Sequence, residues 1–282
     1  MSSKAIDRAA QEAAAAIEQA EALLISAGAG MGVDSGLPDF RGNEGFWKAY
    51  PPFRRLGVSF VEMANPRWFA TDPEQAWGFY GHRQQLYRRT LPHDGFITLL
   101  RWSEARPRGS FVFTSNVDGH FQRAGFDENQ VLECHGSLNF LQCVKGCHGT
   151  IWSDEHLQID IDCDTFRAAE PLPRCQHCDG LARPNVLMFG DYGWLEDRTL
   201  AQQRRYEQWL QTVDPRKLTI IECGAGTAVP TVRLESESHR ATLIRINPRE
   251  PNVPRGGISL PCGALEGINR IARFLEGSST DA

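Results

Sequence analysis

Long hydrophobic runs are missing from this sequence, since no apolar stretch approaches the roughly 20 residues that a membrane-spanning helix needs. The excess of one charge sign over the other is also small, because 30 Lys and Arg are present with 35 Asp and Glu, which gives a net charge of −5. This balance argues against a general nucleic-acid binder or a membrane-surface protein. With 282 residues, 41% of them hydrophobic, the chain can bury a sizeable core in one large or two smaller domains.

The N-terminal segment also lacks the pattern expected of a secretion signal. Residues 7–21 are rich in Ala but carry Glu12, Glu18 and Glu21, without a basic start or a continuous apolar core. We therefore predict a solvent-facing helix there rather than a signal peptide. Without such a signal, the eight cysteines are expected in a reducing compartment. The sequence predicts a cytoplasmic metalloprotein.

Four of the cysteines form two closely spaced pairs. The pairs are Cys143 with Cys147 and Cys175 with Cys178. Thiolates two to four residues apart can each hold one edge of a tetrahedral zinc site. Four unlinked buried thiols are the alternative, and His148 or His177 is close enough in sequence to replace a ligand. With four protein ligands the zinc would be structural, because no coordination position stays open for catalysis.

Predicted strands alternate with predicted helices along the chain. Strands are predicted at 22–26, 110–114, 131–134, 183–191, 218–223, 241–246 and 258–262. Helices are predicted at 74–89, 96–102, 197–211 and 265–275, whereas 43–73 is expected to be rich in loops. Such alternation indicates a mainly parallel sheet, with ligands at the carboxyl ends of the strands.

A glycine-rich loop follows the first predicted strand. Residues 28–42 read Gly-Ala-Gly-Met-Gly-Val-Asp-Ser-Gly-Leu-Pro-Asp-Phe-Arg-Gly. Glycines at a strand end let the backbone approach a pyrophosphate and direct N–H groups at it. The third glycine of the dinucleotide fingerprint is missing, because Val33 takes its place. The Ser-Gly-Leu-Pro-Asp-Phe-Arg run within the loop is the more specific feature.

That run resembles the NAD-binding signature of the sirtuins, the NAD-dependent protein deacylases. Further segments that resemble the family are Thr-Ser-Asn-Val-Asp at 114–118, His-Gly at 135–136 and Arg-Pro-Asn-Val-Leu-Met-Phe-Gly-Asp at 183–191. The resemblance implies an α/β fold, with a Rossmann-like parallel sheet domain, an inserted small zinc-binding module and a helical segment. We expect 1–42, 96–140 and 183–275 to form the NAD-binding domain, 43–95 a cofactor loop and helical segment, and 141–182 the zinc module.

The resemblance also implies roles for single residues. His135 would be the general base that deprotonates a ribose hydroxyl of NAD, which suits an imidazole. Asn116 would organise the ribose and bound water, and Asp118 would contact the nicotinamide carboxamide. The other residues expected to bind NAD are Gly28, Ala29, Gly30, Ser35, Asp39, Phe40, Arg41, Ser115, Gly224, Ala225, Gly226 and Asn247. The chain departs from the family at Gly32, Ser115 and 225–226, all near the expected cofactor.

An acylated peptide is expected to pair with the backbone of 183–191, with Val186, Phe189 and Gly190 in the substrate site. Tyr80 and Arg83 lie three residues apart on a predicted helix and therefore on one face. In one sirtuin branch, a Tyr-x-x-Arg pair lines the acyl pocket and binds acidic acyl groups. A core aromatic beside a surface arginine is the alternative interpretation.

These resemblances imply an NAD-dependent protein lysine deacylase that uses NAD and zinc. Its partner would be an acyl-lysine protein carrying a succinyl, malonyl, glutaryl or acetyl group. Its products would be free lysine, nicotinamide and O-acyl-ADP-ribose. Two other functions stay open, an NAD-consuming ADP-ribosyltransferase or NADase and a non-catalytic NAD-sensing interaction module.

Overall fold

A six-stranded parallel sheet dominates the computed structural model, which describes residues 3–38, 42–162 and 164–277. The strands are β1 (Ala22–Ala27), β2 (Ser110–Thr114), β3 (Val131–Glu133), β4 (Gly136–Cys143), β5 (Ile151–Ser153), β6 (Ile161–Asp162), β7 (Arg167–Ala168), β8 (Ala182–Val186), β9 (Leu218–Cys223), β10 (Thr242–Ile246) and β11 (Ile258–Leu260). The helices are α1 (Ser3–Gln19), α2 (Gly30–Val33), α3 (Gly42–Ala49), α4 (Pro51–Arg55), α5 (Phe60–Met63), α6 (Trp68–Thr71), α7 (Pro73–Arg89), α8 (Asp94–Glu104), α9 (His120–Arg123), α10 (Asp197–Leu210), α11 (Thr231–Ser238) and α12 (Ala264–Gly277).

The large sheet has the strand order β11-β10-β9-β1-β2-β3, with parallel pairing throughout. Every residue of the central strand β1 is buried, because helices cover both faces of the sheet. Helices α1, α8 and α12 pack on one face, while α10 and α11 pack on the other. This three-layer architecture confirms the predicted Rossmann-like sheet.

The N-terminal helix α1 is amphipathic. Its buried residues are Ala10, Ala13, Ala14 and Ile17, which recur at helical spacing. The prediction of a solvent-facing helix is therefore wrong for this face. Small alanine side chains let α1 pack closely against α12 and β11.

Two smaller sheets accompany the large one. Strands β5, β4 and β8 form an antiparallel sheet in that order, and β6 pairs with β7 in a hairpin. Strand β4 begins at Gly136 and β8 ends at Val186, so both cross the domain boundaries expected at 140 and 183. The domain division stays a prediction.

Four short helices, α3 to α6, occupy the segment that was expected to be rich in loops. They bury Phe46, Tyr50, Phe53, Met63 and Phe69 in a second apolar core. The loop prediction for 43–73 is wrong, because helices of four to eight residues are too short to show a helical period. Tertiary packing of their aromatic side chains holds them instead.

Helix α7 matches the predicted helix and packs tightly on the β6–β7 hairpin. A Cβ atom at Gly78 would lie 1.8 Å from the backbone oxygen of Phe166, so only glycine allows this approach. The helix thereby fixes Tyr80 and Arg83 at a defined depth. Helix α11, by contrast, was not predicted from the sequence. Within 3–38, 42–162 and 164–277, each helix is too short or too polar to span a bilayer.

Candidate functional site

A cavity of about 980 Å³ opens at the carboxyl ends of β1, β2, β3 and β9. On the side of the large sheet, the predicted site residues that line it are Gly28, Ala29, Ser115, Asn116, Asp118, His135, Gly224, Ala225 and Gly226. On the opposite side, they are Tyr80, Arg83, Val186, Phe189 and Gly190. The structure thus brings the predicted cofactor and substrate residues together.

Two glycine-rich loops form the floor of the cavity, one after β1 and one after β9. A Cβ atom at Gly28 would lie 2.7 Å from Ala225 Cα, and one at Gly224 would lie 2.4 Å from the carbonyl carbon of Gly30. The Gly30 N–H donates to the Gly224 oxygen at 3.0 Å, so Gly30 joins the loops without lining the cavity. This backbone-on-backbone packing makes a cradle that fits a dinucleotide pyrophosphate.

Asn116 and Asp118 lie in the loop that follows β2, and each is 9% exposed. Asn116 Nδ2 donates to the Gly28 oxygen at 3.1 Å, and its backbone N–H donates to Thr114 Oγ1 at 3.0 Å. Asp118 Oδ1 accepts from the His120 N–H at 2.9 Å. These bonds fix both side chains beside the glycine cradle.

His135 follows β3 and faces the same cavity. Its backbone oxygen accepts from the Leu187 N–H at 3.0 Å, and its Nε2 lies 3.5 Å from Thr231 Oγ1. Burial lowers the pKa of His135 below its usual value of 6.5. The imidazole is therefore neutral at pH 7 and able to accept a proton.

The wall of the cavity that runs from Val186 to Asp191 is held by a buried ion pair. Arg183 binds Asp191 through two nitrogens, and the exposed fractions of the two side chains are 3% and 0%. Arg183 Nη2 also donates to the Val186 oxygen at 3.0 Å. This segment resembles the family in sequence, but the ion pair was not predicted from it.

Both backbone polar groups of Phe189 already form hydrogen bonds. Its N–H donates to the Ala64 oxygen at 2.9 Å, and its carbonyl oxygen accepts from Asn65 Nδ2 at 3.0 Å. The Phe189 residue therefore joins the helical segment to the cavity wall. A substrate peptide that adds to this wall would pair with other backbone groups of 186–191.

Tyr80 and Arg83 both lie inside the protein. Their exposed fractions are 1% and 7%, so the interpretation as a surface arginine is wrong. Arg83 packs near the rings of Phe60 and Phe79, with distances of 5.8 and 5.3 Å from its guanidinium carbon. Burial acts to lower the pKa of Arg83, but the nearby phenols have the larger combined effect. The pKa of Arg83 is therefore raised, and the residue stays cationic.

Some predicted cofactor residues do not line the cavity. Ser35 Oγ accepts from the His93 N–H at 3.0 Å. Asn247 is fully buried, donating from Nδ2 to the Ala225 oxygen at 2.7 Å and accepting at Oδ1 from the N–H groups of Arg249 and Glu250 at 3.0 Å. It shapes the loops behind the cavity wall. Asp39, Phe40 and Arg41 lie outside the described residues.

Several lining residues were missed by the sequence analysis, among them Tyr87, Thr227, Arg249 and Glu250. Tyr87 could have been found, because it follows Arg83 by four residues on the same helix. Thr227 and Glu250 carry no sequence signal for their contact, since the Thr227 N–H donates to Glu250 Oε2 at 3.1 Å across two loops.

The four paired cysteines meet in one cluster. Their sulfur atoms all lie within 4.8 Å of one another, with Cys143 to Cys178 at 3.7 Å and Cys147 to Cys175 at 3.6 Å. Four thiolates around zinc at ~2.3 Å would be ~3.8 Å apart, so the donor set fits a tetrahedral zinc ion. Backbone N–H groups of His177 and Cys178 lower the pKa of Cys175 to about 7, which favours the thiolate.

The neighbouring histidines are not part of this cluster. His148 and His177 stack on each other with ring centroids 4.5 Å apart. None of the four cysteines is among the described residues that line the cavity. A zinc ion in this cluster would therefore be structural.

Comparisons with known proteins agree with this geometry. A sequence model described as the Sir2 family matches residues 28–208. The chain is similar to an NAD-dependent protein deacylase of Aquifex aeolicus (strain VF5), 30% identical over 81% of this chain and 84% of that protein. It is also similar to a solved Sir2 homologue–ADP ribose complex (TM-score 0.71, 27% identity, 96% of this chain and 98% of that chain). A Sir2 homologue–NAD complex matches with a TM-score of 0.70 and 26% identity over 95% and 94% of the two chains.

Proposed function

The chain belongs to the Sir2 family, and from this premise we propose that it is an NAD-dependent protein lysine deacylase. One observation carries the proposal most directly. A single cavity joins the glycine cradle, which suits a dinucleotide, to a neutral, half-buried histidine and a buried arginine. A dinucleotide site without a protein substrate would not need the second half of this cavity.

NAD, when bound, supplies a glycosidic carbon that the acyl amide oxygen attacks as nicotinamide leaves. The loops at Gly28 and Gly224 would hold its pyrophosphate through backbone N–H groups. Asn116 and Asp118 would orient the ribose and the carboxamide, since their side chains are fixed beside the cradle. Ser115 lines the cavity next to them.

His135 would act as the general base. Its neutral imidazole would accept a proton from a ribose hydroxyl, whose oxygen then attacks the acyl carbon, and one water molecule would complete the release of free lysine and O-acyl-ADP-ribose. Apolar side chains such as Leu187, Met188 and Val229 line the same space. Zinc, in this proposal, stabilises the small sheet and takes no part in the chemistry.

We further propose that the acyl-lysine carries an acidic acyl group, such as malonyl, succinyl or glutaryl. Tyr80 and Arg83 line the cavity away from the glycine cradle, and Arg83 keeps its positive charge. A guanidinium binds a terminal carboxylate by charge-assisted hydrogen bonds, which an acetyl group does not offer.

The test is incubation of the purified chain with NAD and a panel of acyl peptides, followed by mass spectrometry. Deacylated peptide with nicotinamide and O-acyl-ADP-ribose is the expected result. ADP-ribosylated protein or free ADP-ribose without deacylation would support a transferase or NADase instead. No turnover of any peptide would contradict an enzymatic role.

His135→Ala is the matched variant for the proposed mechanism. We expect it to bind NAD while deacylation falls by about 10²–10⁴-fold, because the base acts after the ligand is placed. Near-normal turnover of the variant at pH 7 would remove His135 from the mechanism.

A further inference from the structure

Tyr87 lies one helical turn beyond Arg83 on α7 and lines the cavity with it. Arg83 Nε and Nη2 both donate to the Tyr87 hydroxyl oxygen, at 3.1 and 2.9 Å. Tyr87 is 6% exposed. A phenol oxygen that accepts two N–H bonds still carries its own proton, and no residue in the described ranges accepts it. Tyr87 therefore has a donor left for a ligand.

Tyr80 adds a second phenol to the same part of the cavity. Its hydroxyl is buried and has no hydrogen-bond partner among the described residues. Burial raises the pKa of both Tyr80 and Tyr87, so both phenols keep their protons at neutral pH. Buried hydroxyls without partners are unusual in native proteins, and they indicate a group that a ligand completes.

The two phenols flank the Arg83 guanidinium. Its carbon lies 6.0 Å from the centre of the Tyr80 ring and 5.4 Å from that of the Tyr87 ring. A carboxylate offers two oxygens with about four lone pairs, which suits several convergent donors. An uncharged acyl end does not offer Arg83 charge-assisted hydrogen bonds.

We infer that Tyr87 is a specificity-determining residue that orients Arg83 and donates, with Tyr80, a hydrogen bond to the terminal carboxylate of a dicarboxylic acyl-lysine. This inference rests on the acidic acyl class proposed above. It adds a residue that the Tyr-x-x-Arg spacing does not contain. Tyr87 thus positions Arg83 and itself donates a hydrogen bond to the acyl carboxylate.

The test compares one peptide with three acyl groups, using the full chain. The groups are acetyl, succinyl and succinamoyl, and the last keeps the length of succinyl while an amide replaces the carboxylate. Binding is measured by isothermal titration calorimetry without NAD, and turnover is measured separately with NAD. Tyr87→Phe should weaken succinyl-peptide binding by about 10- to 100-fold and raise its KM, with kcat within a few-fold. Binding of the acetyl and succinamoyl peptides should change less than about threefold.

Tyr206→Phe is the matched control. Tyr206 is a buried phenol bound to Glu235, and it does not line the cavity. Its removal should leave the succinyl-to-succinamoyl ratio at the wild-type value. If Tyr87→Phe does not fold, Tyr87→Met, which has no hydroxyl, serves as the second variant.

The outcomes separate the two claims. Equal binding of succinyl and succinamoyl peptides by the wild-type protein would overturn the acidic acyl class and the role of Tyr87 together. Succinyl-selective binding that survives Tyr87→Phe would overturn the role of Tyr87 alone. Succinyl-selective binding without turnover would contradict the proposed enzyme but support the inference if Tyr87→Phe abolishes the selectivity.

Discussion

At the scale of single residues, burial shifts the pKa of His135 and places Arg83 among aromatic rings. His135, Asn116 and Asp118 were selected by resemblance, and the structure groups them in one cavity. The burial of Arg83 could not be predicted from the sequence, because the same helix carries Arg88 and Arg89, which are more exposed, and no local pattern distinguishes the three. Its burial depends on aromatic residues contributed by distant segments.

The pKa of His135 predicts how activity depends on pH. Burial lowers the pKa of this side chain, so the base stays deprotonated to a lower pH than a free imidazole of pKa 6.5. We expect kcat/KM for deacylation to be constant around pH 7 and to fall only below pH 6.5. A profile of kcat/KM from pH 5 to 9 on one peptide is the measurement. An acid limb with its midpoint above pH 7 would contradict this assignment.

The same shift has a consequence for stability. The unfolded chain binds a proton at His135 at a higher pH than the native protein does. The contribution of His135 to the free energy of unfolding is therefore complete above the unfolded pKa and decreases as the pH falls below it.

At the scale of elements, long or fully buried segments were predicted well. Strands β2 and β9 have the predicted bounds, and α7 and α10 differ from prediction by one residue at one end. Segments whose form depends on contacts were missed. Helices α3 to α6 are too short to show a hydrophobic period. Helix α11 follows a glycine turn for which the sequence predicted only a ligand site.

The contact between the two glycine loops is testable. Gly28→Ala would place a Cβ atom 2.7 Å from Ala225 Cα, so the loops must separate. We expect at least a tenfold loss of NAD affinity, measured by calorimetry, because the cradle would widen. Gly193→Ala is the control, since its Cβ atom would meet only Asp191 Oδ1 at 3.9 Å. Unchanged NAD affinity in Gly28→Ala would exclude the cradle as the pyrophosphate site.

The ion pair between Arg183 and Asp191, which holds the cavity wall, leads to a second prediction at this scale. Asp191→Asn leaves the Arg183 guanidinium buried without a counter-charge, which should lower the free energy of unfolding by about 3–5 kcal/mol. The control is Asp214→Asn, because Asp214 pairs with Arg216 at the surface, where solvent screens the pair, so the loss of stability should be much smaller. Urea unfolding of both variants is the measurement, and equal losses would refute the argument.

At the scale of the whole molecule, the parallel sheet was predicted from the alternation of strands and helices, its Rossmann-like form from the family resemblance, and the zinc site from the cysteine spacing. The crossing of β4 and β8 beyond the expected module was not, because these strands pair with each other rather than with their sequence neighbours in the large sheet. Pairing of distant segments leaves no trace in local sequence pattern.

Zinc removal is expected to act on the small sheet first. Cys143 ends β4 and the other three cysteines lie between β4 and β8, and the binding free energy of a structural zinc ion contributes directly to folding. Wild-type protein should contain one zinc ion per chain by metal analysis, and a strong chelator should lower its melting temperature. Cys175→Ser should lose the metal and unfold at lower temperature than the wild type. Pure protein without zinc would refute the site.

The pairing of β1 with β9 has a consequence for how the chain is made. The central strand is completed only when Ala22 pairs with Leu218 and Ala27 pairs with Cys223. A ribosome that releases the chain from its N-terminus must therefore deliver about four fifths of it before β1 gains its second neighbour. Until then β1 has an open edge of unpaired backbone groups, and the cradle between Gly28 and Ala225 does not exist. Nascent chains shorter than about 223 residues should depend on chaperones and show no affinity for NAD.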